Sequence, residues 1–109
     1  MDRFVILYHQ SPTDEHWDVM LETDTELMTW SIPPQCPSGK SFSCPTTPLP
    51  AHRKHYLEYE GEVSGNRGRV SHIDIGTYEQ MSPESFMLHG ALFAGTLTLN
   101  NGTMTFESR

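Results

Sequence analysis

Basic residues are scarce in this chain. Lys and Arg number 7 against 14 Asp and Glu, a formal net charge of −7 over 109 residues. That balance excludes bulk, sequence-blind nucleic-acid binding, which needs many cations to neutralise phosphates. A local cluster can still oppose the global sign. Arg53, Lys54, Arg67 and Arg69 form one, interleaved with Glu58, Glu60 and Glu62. Long apolar runs are missing too. The N-terminal "MDRFVILYHQ" holds five consecutive apolar residues, too few for a signal-peptide core. Nothing reaches the roughly 20 residues of a membrane span. A cytoplasmic location with no membrane contact is the expectation. Cysteine is limited to Cys36 and Cys44, whose spacing matches no CxxC metal or redox pair, so free thiols in a reducing compartment are expected. There is no heptad, internal repeat or amphipathic helical period. At this length one core fits and two do not, so residues 1–109 read as a single domain.

What the chain does have is alternation of period two. Arg3 to His9 reads as a first strand and His16 to Glu22 as a second, with "TDTE" at 23–26 a tight turn into a third, "LMTWSI". From Pro33 to Pro50 six prolines stand among Ser, Thr and Gly. Proline cannot donate to a sheet ladder, so this stretch reads as a long surface loop. "HYLEYEGEV", "SGNRG" and "RVSHIDIG" have the form of a hairpin. "SPES" at 82–85 has the capping residue and proline that begin a helical turn, with Ser82 as cap. "FMLHGALFAGTLTL" and "TMTFES" complete the strands. Asn101-Gly102 between them is a hairpin signal, since both residues accept positive φ; "NGT" is therefore read as a turn, not a glycosylation acceptor. Many short strands with little helix predict a mainly β fold, a small barrel or closed antiparallel sandwich.

The polar residues of "HWDVMLE" carry the chemistry. Trp17, Val19 and Leu21 share one face, which reads as core. His16, Asp18, Met20 and Glu22 share the other, which is either a site or a wet surface. His16 and Asp18 are two apart on one strand face, about 6.5–7 Å between Cα atoms, so both side chains can converge on one cation. His9, ending the preceding strand, supplies a third ligand if the two strands are neighbours. Two imidazoles and a carboxylate suit Zn, Mn or Fe(II). A second cluster, "HRKHY" at 52–56, offers imidazoles, positive charges and a phenol, a set suited to an anionic substrate. The alternative is a basic loop end paired with Glu58 or Glu60. His72 and His89 read as satisfied structural histidines, and Trp17 and Trp30 as core.

Together, "RFVILYH", "HWDVMLE", "TWSIP", "HRKHYLEYEG" and "GTYE" resemble, in order and spacing, the phosphoesterase domain at the N-terminus of bacterial DNA ligase D and its free-standing relatives. The likeness spans most of the chain, with the Pro-rich loop at about 33–50 lacking a clear counterpart. It implies a β-barrel-like fold with a divalent metal, manganese first and zinc second. It also implies an activity that removes a 3′ ribonucleoside, then hydrolyses the remaining 3′-phosphate, at ends of DNA or RNA-tipped DNA. The family's metal ligands fall on His9, His16 and Asp18, with one residue more between the two histidines here. Its phosphate-contacting histidine and tyrosine fall on His52 and Tyr56. A ligase or polymerase encoded separately is the partner this resemblance brings with it.

One position departs. Two residues beyond the aspartate the family has an arginine aimed at the phosphate, and this chain has Met20. Losing a charge-assisted pair costs about 1.5–3 kcal/mol. Arg53 and Arg67 are the candidates to reach the same space. His52 is the candidate to stabilise developing charge or protonate the leaving oxygen, Tyr56 to orient it, and Glu22 to fix a ligand histidine. Two readings follow: a metal-dependent 3′-phosphoesterase of DNA repair, or a non-catalytic module that binds nucleic-acid ends or phosphate and retains the fold. An Fe(II) oxygenase shares the ligand set, but the chain is short for an organic cosubstrate and its anchoring arginine.

Overall fold

A computed structural model describes residues 2–34 and 40–109. The alternating segments become strands of one antiparallel sheet. β1 (Asp2–Gln10), β2 (Glu15–Glu22) and β3 (Leu27–Ile32) follow each other through turns at 11–14 and 23–26. β4 (Phe42–Pro45) and β5 (Thr47–His52) come next, then one 3₁₀ turn (Lys54–Leu57) and a two-residue β6 (Gly61–Glu62). A long β7 (Arg69–Ser82) leads to β8 (Ser85–Gly90), β9 (Ala94–Asn100) and β10 (Thr103–Ser108). The strand order is β4-β10-β9-β8-β7-β1-β2-β3-β5, with β6 pairing on β7. The two edge strands, β4 and β5, are consecutive in the chain with only Thr46 between them. Thr46 donates its N–H to the Gly102 carbonyl beside one edge and its hydroxyl to the Ser31 carbonyl beside the other, both at 2.9 Å. The sheet is thereby nearly closed on itself, the mainly β, barrel-like fold that the alternation predicts. Among the described residues no helix is long and apolar enough to cross a membrane.

Two apolar clusters lie on opposite sides of β1 and β2. Phe4, Ile6, Trp17, Val19 and Leu21 point inward to the aromatic-rich cluster that fills the barrel with Phe86, Phe93 and Phe106. Val5, Leu7 and Met20 point outward, yet they too are buried, under Leu57 of the 3₁₀ turn and Val63 after β6. Trp17 is buried in the interior, and Trp30 is half-buried against it. Burying a Leu-sized side chain contributes about 1.5–3 kcal/mol, so the short cover is an energetic part of the fold.

Several expectations are corrected. The second face of "HWDVMLE" is no wet surface: Met20 is 1% exposed and Asp18 1%. The Pro33–Pro50 stretch is not one loop, because residues 42–45 and 47–52 are strands. Pro48 and Pro50 are two apart, so their missing donors fall on one side, and an edge strand leaves one side unpaired. The intervening residues 35–39, with Cys36, lie outside the described residues; Cys44 is buried in β4. "HYLEYEGEV" is mostly not a strand, since its apolar members Tyr56, Leu57 and Tyr59 fold over the outer cluster. "SPES" forms no helix: β7 runs to Ser82, which pairs with Ser85 across a two-residue turn at Pro83 and Glu84. The hairpin at Asn101 (φ 49°) and Gly102 (φ 78°) forms as predicted.

Candidate metal centre

The register of β1 and β2 sets His9 opposite His16, Leu7 opposite Asp18 and Val5 opposite Met20. The outer face is thus apolar at its lower end and polar at its upper end. His9, His16 and Asp18 each present a ligand atom, and these atoms all lie within 4.8 Å of one another. The two rings are 4.9 Å apart and tilted by 56°. His16 Nε2 is 3.1 Å from Asp18 Oδ1, and His9 Nδ1 is 3.6 Å from Asp18 Oδ2.

Both imidazoles are held from behind. His9 Nε2 lies 2.7 Å from the Arg67 carbonyl. A carbonyl only accepts, so Nε2 carries the proton and Nδ1 turns its lone pair toward Asp18. His16 Nδ1 lies 2.8 Å from Asp14 Oδ2 and donates to that carboxylate, which leaves Nε2 facing Asp18. The Arg67 carbonyl is placed by Gly68, which has φ +94°. A Cβ there would lie 1.7 Å from the Gln10 carbonyl oxygen, so only glycine lets the 63–68 turn sit against the end of β1. That close approach, beyond the turn geometry itself, is what requires this glycine.

Asp18 tests whether a cation fits. Its Oδ1 is buried without a hydrogen-bond partner, although His16 Nε2 is close. The contact is short but not aligned as a hydrogen bond. Burial pushes the Asp18 carboxyl above its ordinary range, partly opposed by His16, His9 and His52. A buried carboxylate facing two imidazole nitrogens favours positive charge between them, carried by a proton or by a metal ion. The donor set and the unpaired oxygen therefore fit a divalent ion.

A hollow of about 70 Å³ opens beside the triad, lined by His9, Asp18, Met20, His52, Tyr56 and Arg67 over an apolar floor. It brings together residues from β1, β2, β5, the 3₁₀ turn and the 63–68 turn. His52 donates Nδ1–H to the Pro50 carbonyl at 3.0 Å, leaving Nε2 to meet a ligand. Its ring packs at 5.6 Å from that of Tyr56. Among the described residues Arg67 is the only Arg or Lys lining the hollow; its guanidinium donates to the Ser64 carbonyl and hydroxyl at 2.7 and 3.2 Å.

Other expected site residues sit elsewhere. Arg53 is exposed at the start of the 3₁₀ turn and does not line the hollow. Glu22 touches neither ligand histidine. It accepts the Arg3 N–H at 2.9 Å and pairs with Lys54 at 3.5 Å, clamping the 3₁₀ turn to β2. Lys54 therefore pairs with Glu22 rather than with Glu58 or Glu60. Met20 is packing in the hollow's floor. His72 buries an Nε2 without a hydrogen-bond partner, whereas His89 accepts from Arg109 at Nδ1 (3.2 Å) and turns Nε2 toward Glu79 at 3.9 Å. Asp14 and the Arg67 carbonyl are additions to the sequence-based site. A carboxylate two residues before the HxD pair was a legible signal for the first. Nothing in the sequence pointed to a backbone carbonyl.

A family model described as the DNA ligase D 3′-phosphoesterase domain matches residues 8–106. Comparison with curated proteins gives no match. The matched segment is nearly the whole chain, and the chain belongs to that family.

Proposed function

We propose that this member of the family is a divalent-metal-dependent 3′-phosphoesterase acting on 3′ ends of DNA or RNA-tipped DNA, in cytoplasmic DNA repair. One observation supports it most: His9, His16 and Asp18 hold their ligand atoms within 4.8 Å of one another, and two of them, His9 and Asp18, line a hollow that also gathers His52, Tyr56 and Arg67. His9 Nδ1, His16 Nε2 and the Asp18 carboxylate would hold the ion, manganese first and zinc second. When bound, such an ion supplies Lewis acidity toward a phosphoryl oxygen and its nucleophile.

The hollow's size bears on the substrate. A hollow of about 70 Å³ that opens to solvent admits a phosphoryl group beside His9 and Asp18. Charge matters equally. Without a cation the hollow presents the buried Asp18 carboxylate to an anion, and the chain as a whole is acidic; a bound divalent ion reverses that local sign. With Nδ1–H on the Pro50 carbonyl, His52 acts as an imidazolium, its second proton on Nε2 donated to, or passed to, the oxygen that becomes negative, and Tyr56 orients it. Arg67 supplies the guanidinium that Met20 does not, by swinging from Ser64 into the hollow. A separately encoded ligase or polymerase would consume the 3′-hydroxyl produced.

A second reading, a phosphate- or end-binding module without turnover, is favoured by Met20, which is buried in packing where the family pattern has an arginine. An end-labelled DNA primer bearing a 3′-phosphate separates the two. Mn²⁺-dependent conversion to a 3′-hydroxyl, lost in His16→Ala and in His52→Ala, is expected. Binding without conversion selects the module instead.

A further inference from the structure

The two ligand imidazoles are oriented in different ways. His9 is fixed by a backbone carbonyl, which no substitution at position 67 removes. His16 depends on one side chain, Asp14, in the turn that joins β1 to β2. That turn is built to hold it. Ser11 N–H and hydroxyl donate to the Asp14 carbonyl at 2.7 and 3.0 Å, and Asp14 N–H donates to the Ser11 hydroxyl at 3.1 Å. The Asp14 carboxylate then reaches His16 Nδ1 at 2.8 Å while remaining 65% exposed.

The consequence is a competition for one proton. A neutral imidazole carries a single N–H. Two carboxylates flank His16: Asp14 at Nδ1, and the buried Asp18 at Nε2. If the proton sat on Nε2 instead, the ligand nitrogen would be closed, and the 3.1 Å contact with Asp18 is not aligned to take it as a hydrogen bond. With Asp14 holding it, Nε2 and Asp18 both present lone pairs to the same space. We infer that Asp14 is a positioning residue that keeps the His16 proton on Nδ1 and so keeps Nε2 open as a ligand atom, with Ser11 fixing the turn that delivers it. This rests on the metal reading of the triad and adds to it a residue outside the ligand set.

Outer partners of ligand histidines typically contribute 10- to 100-fold in metal affinity. The test titrates Mn²⁺ into the full chain by calorimetry for wild type, Asp14→Ala, Asp14→Asn and His16→Ala. In parallel, ¹⁵N NMR of the metal-free protein reads the His16 tautomer. Asp14→Ala is expected to weaken Mn²⁺ binding 10- to 100-fold and move the proton to Nε2, with the thermal midpoint unchanged because the side chain is exposed. Asp14→Asn keeps an accepting oxygen and is expected to fall between Asp14→Ala and wild type, also serving if the alanine variant folds poorly. Wild-type affinity and tautomer in both Asp14 variants, with binding lost in His16→Ala, overturns the role of Asp14 alone. Undiminished binding in His16→Ala overturns the metal site beneath it.

Discussion

The barrel interior and the covered outer face are built by alternate residues of the same two strands, β1 and β2, yet they are closed differently. Inside, the neighbouring face is mostly more sheet: Phe4, Trp17 and Val19 meet Phe86 and Phe106, with Phe93 added from the turn before β9. Outside, the cover is a 3₁₀ turn and a tight turn, which contribute Leu57 and Val63 over Val5, Leu7 and Met20. Sheet against sheet leaves no opening. A short irregular cover ends after a few residues, and where it ends Asp18 and His9 line a hollow, with His16 beside them. The periodic cover makes stability, and the aperiodic one makes a site.

That contrast can be broken most forcefully from the interior. Phe93 is 1% exposed and packs edge-on against Trp17, Phe42 and Phe106. Phe93→Ala is expected to cost about 3–5 kcal/mol, read as a lower denaturant midpoint, with Mn²⁺ affinity unchanged wherever the variant remains folded. Leu57→Ala, under the outer cover, is expected to cost less, about 2 kcal/mol, at the low end for such truncations because a surface turn can settle into the gap. Its larger effect is local: His52 and Tyr56 lose their support, so inorganic phosphate binding to the Mn²⁺-loaded protein weakens. Equal stability losses with no change in phosphate binding would erase the division between the two faces.

Asp18→Asn sharpens the comparison with a smaller effect. In the metal-free protein the carboxylate buries an oxygen without a hydrogen-bond partner, a situation that costs about 1–3 kcal/mol. The amide removes the buried charge, so the metal-free variant is expected to melt higher than wild type, while stabilisation by Mn²⁺ disappears. The pH dependence has a definite sign. Burial raises the folded-state carboxyl above its ordinary value of 3.8. Its contribution to stability is therefore present in full below that value and is lost as pH rises through the raised folded value. Wild type minus Asp18→Asn, measured across that window without metal, should decline with rising pH. A flat difference contradicts the burial account.

Much of this was legible in the sequence. Alternation placed β1, β2 and β3, the Asn-Gly turn placed the last hairpin, and the HxD spacing with His9 at the end of β1 named three side chains that the register brings together. What stayed hidden depends on partners distant in sequence. Met20 sits on the polar-looking face, and only the 3₁₀ turn over it makes that face a core. Residues 42–52 hide as strands because proline is tolerated at an edge, and only barrel closure makes them edges. Leu57 and Tyr59 alternate with Glu58 and Glu60 as a strand would, but a turn can bury the same side chains. Backbone carbonyls, such as that of Arg67, leave no trace in residue identity.

The account turns on one divalent ion shared by His9, His16 and Asp18. Diffraction from crystals soaked in Mn²⁺, recorded for the metal's anomalous signal, tests it most directly. The prediction is one peak about 2.0–2.2 Å from His9 Nδ1, His16 Nε2 and an Asp18 oxygen, absent in His16→Ala. A peak elsewhere on the chain, with none at the triad, would contradict it.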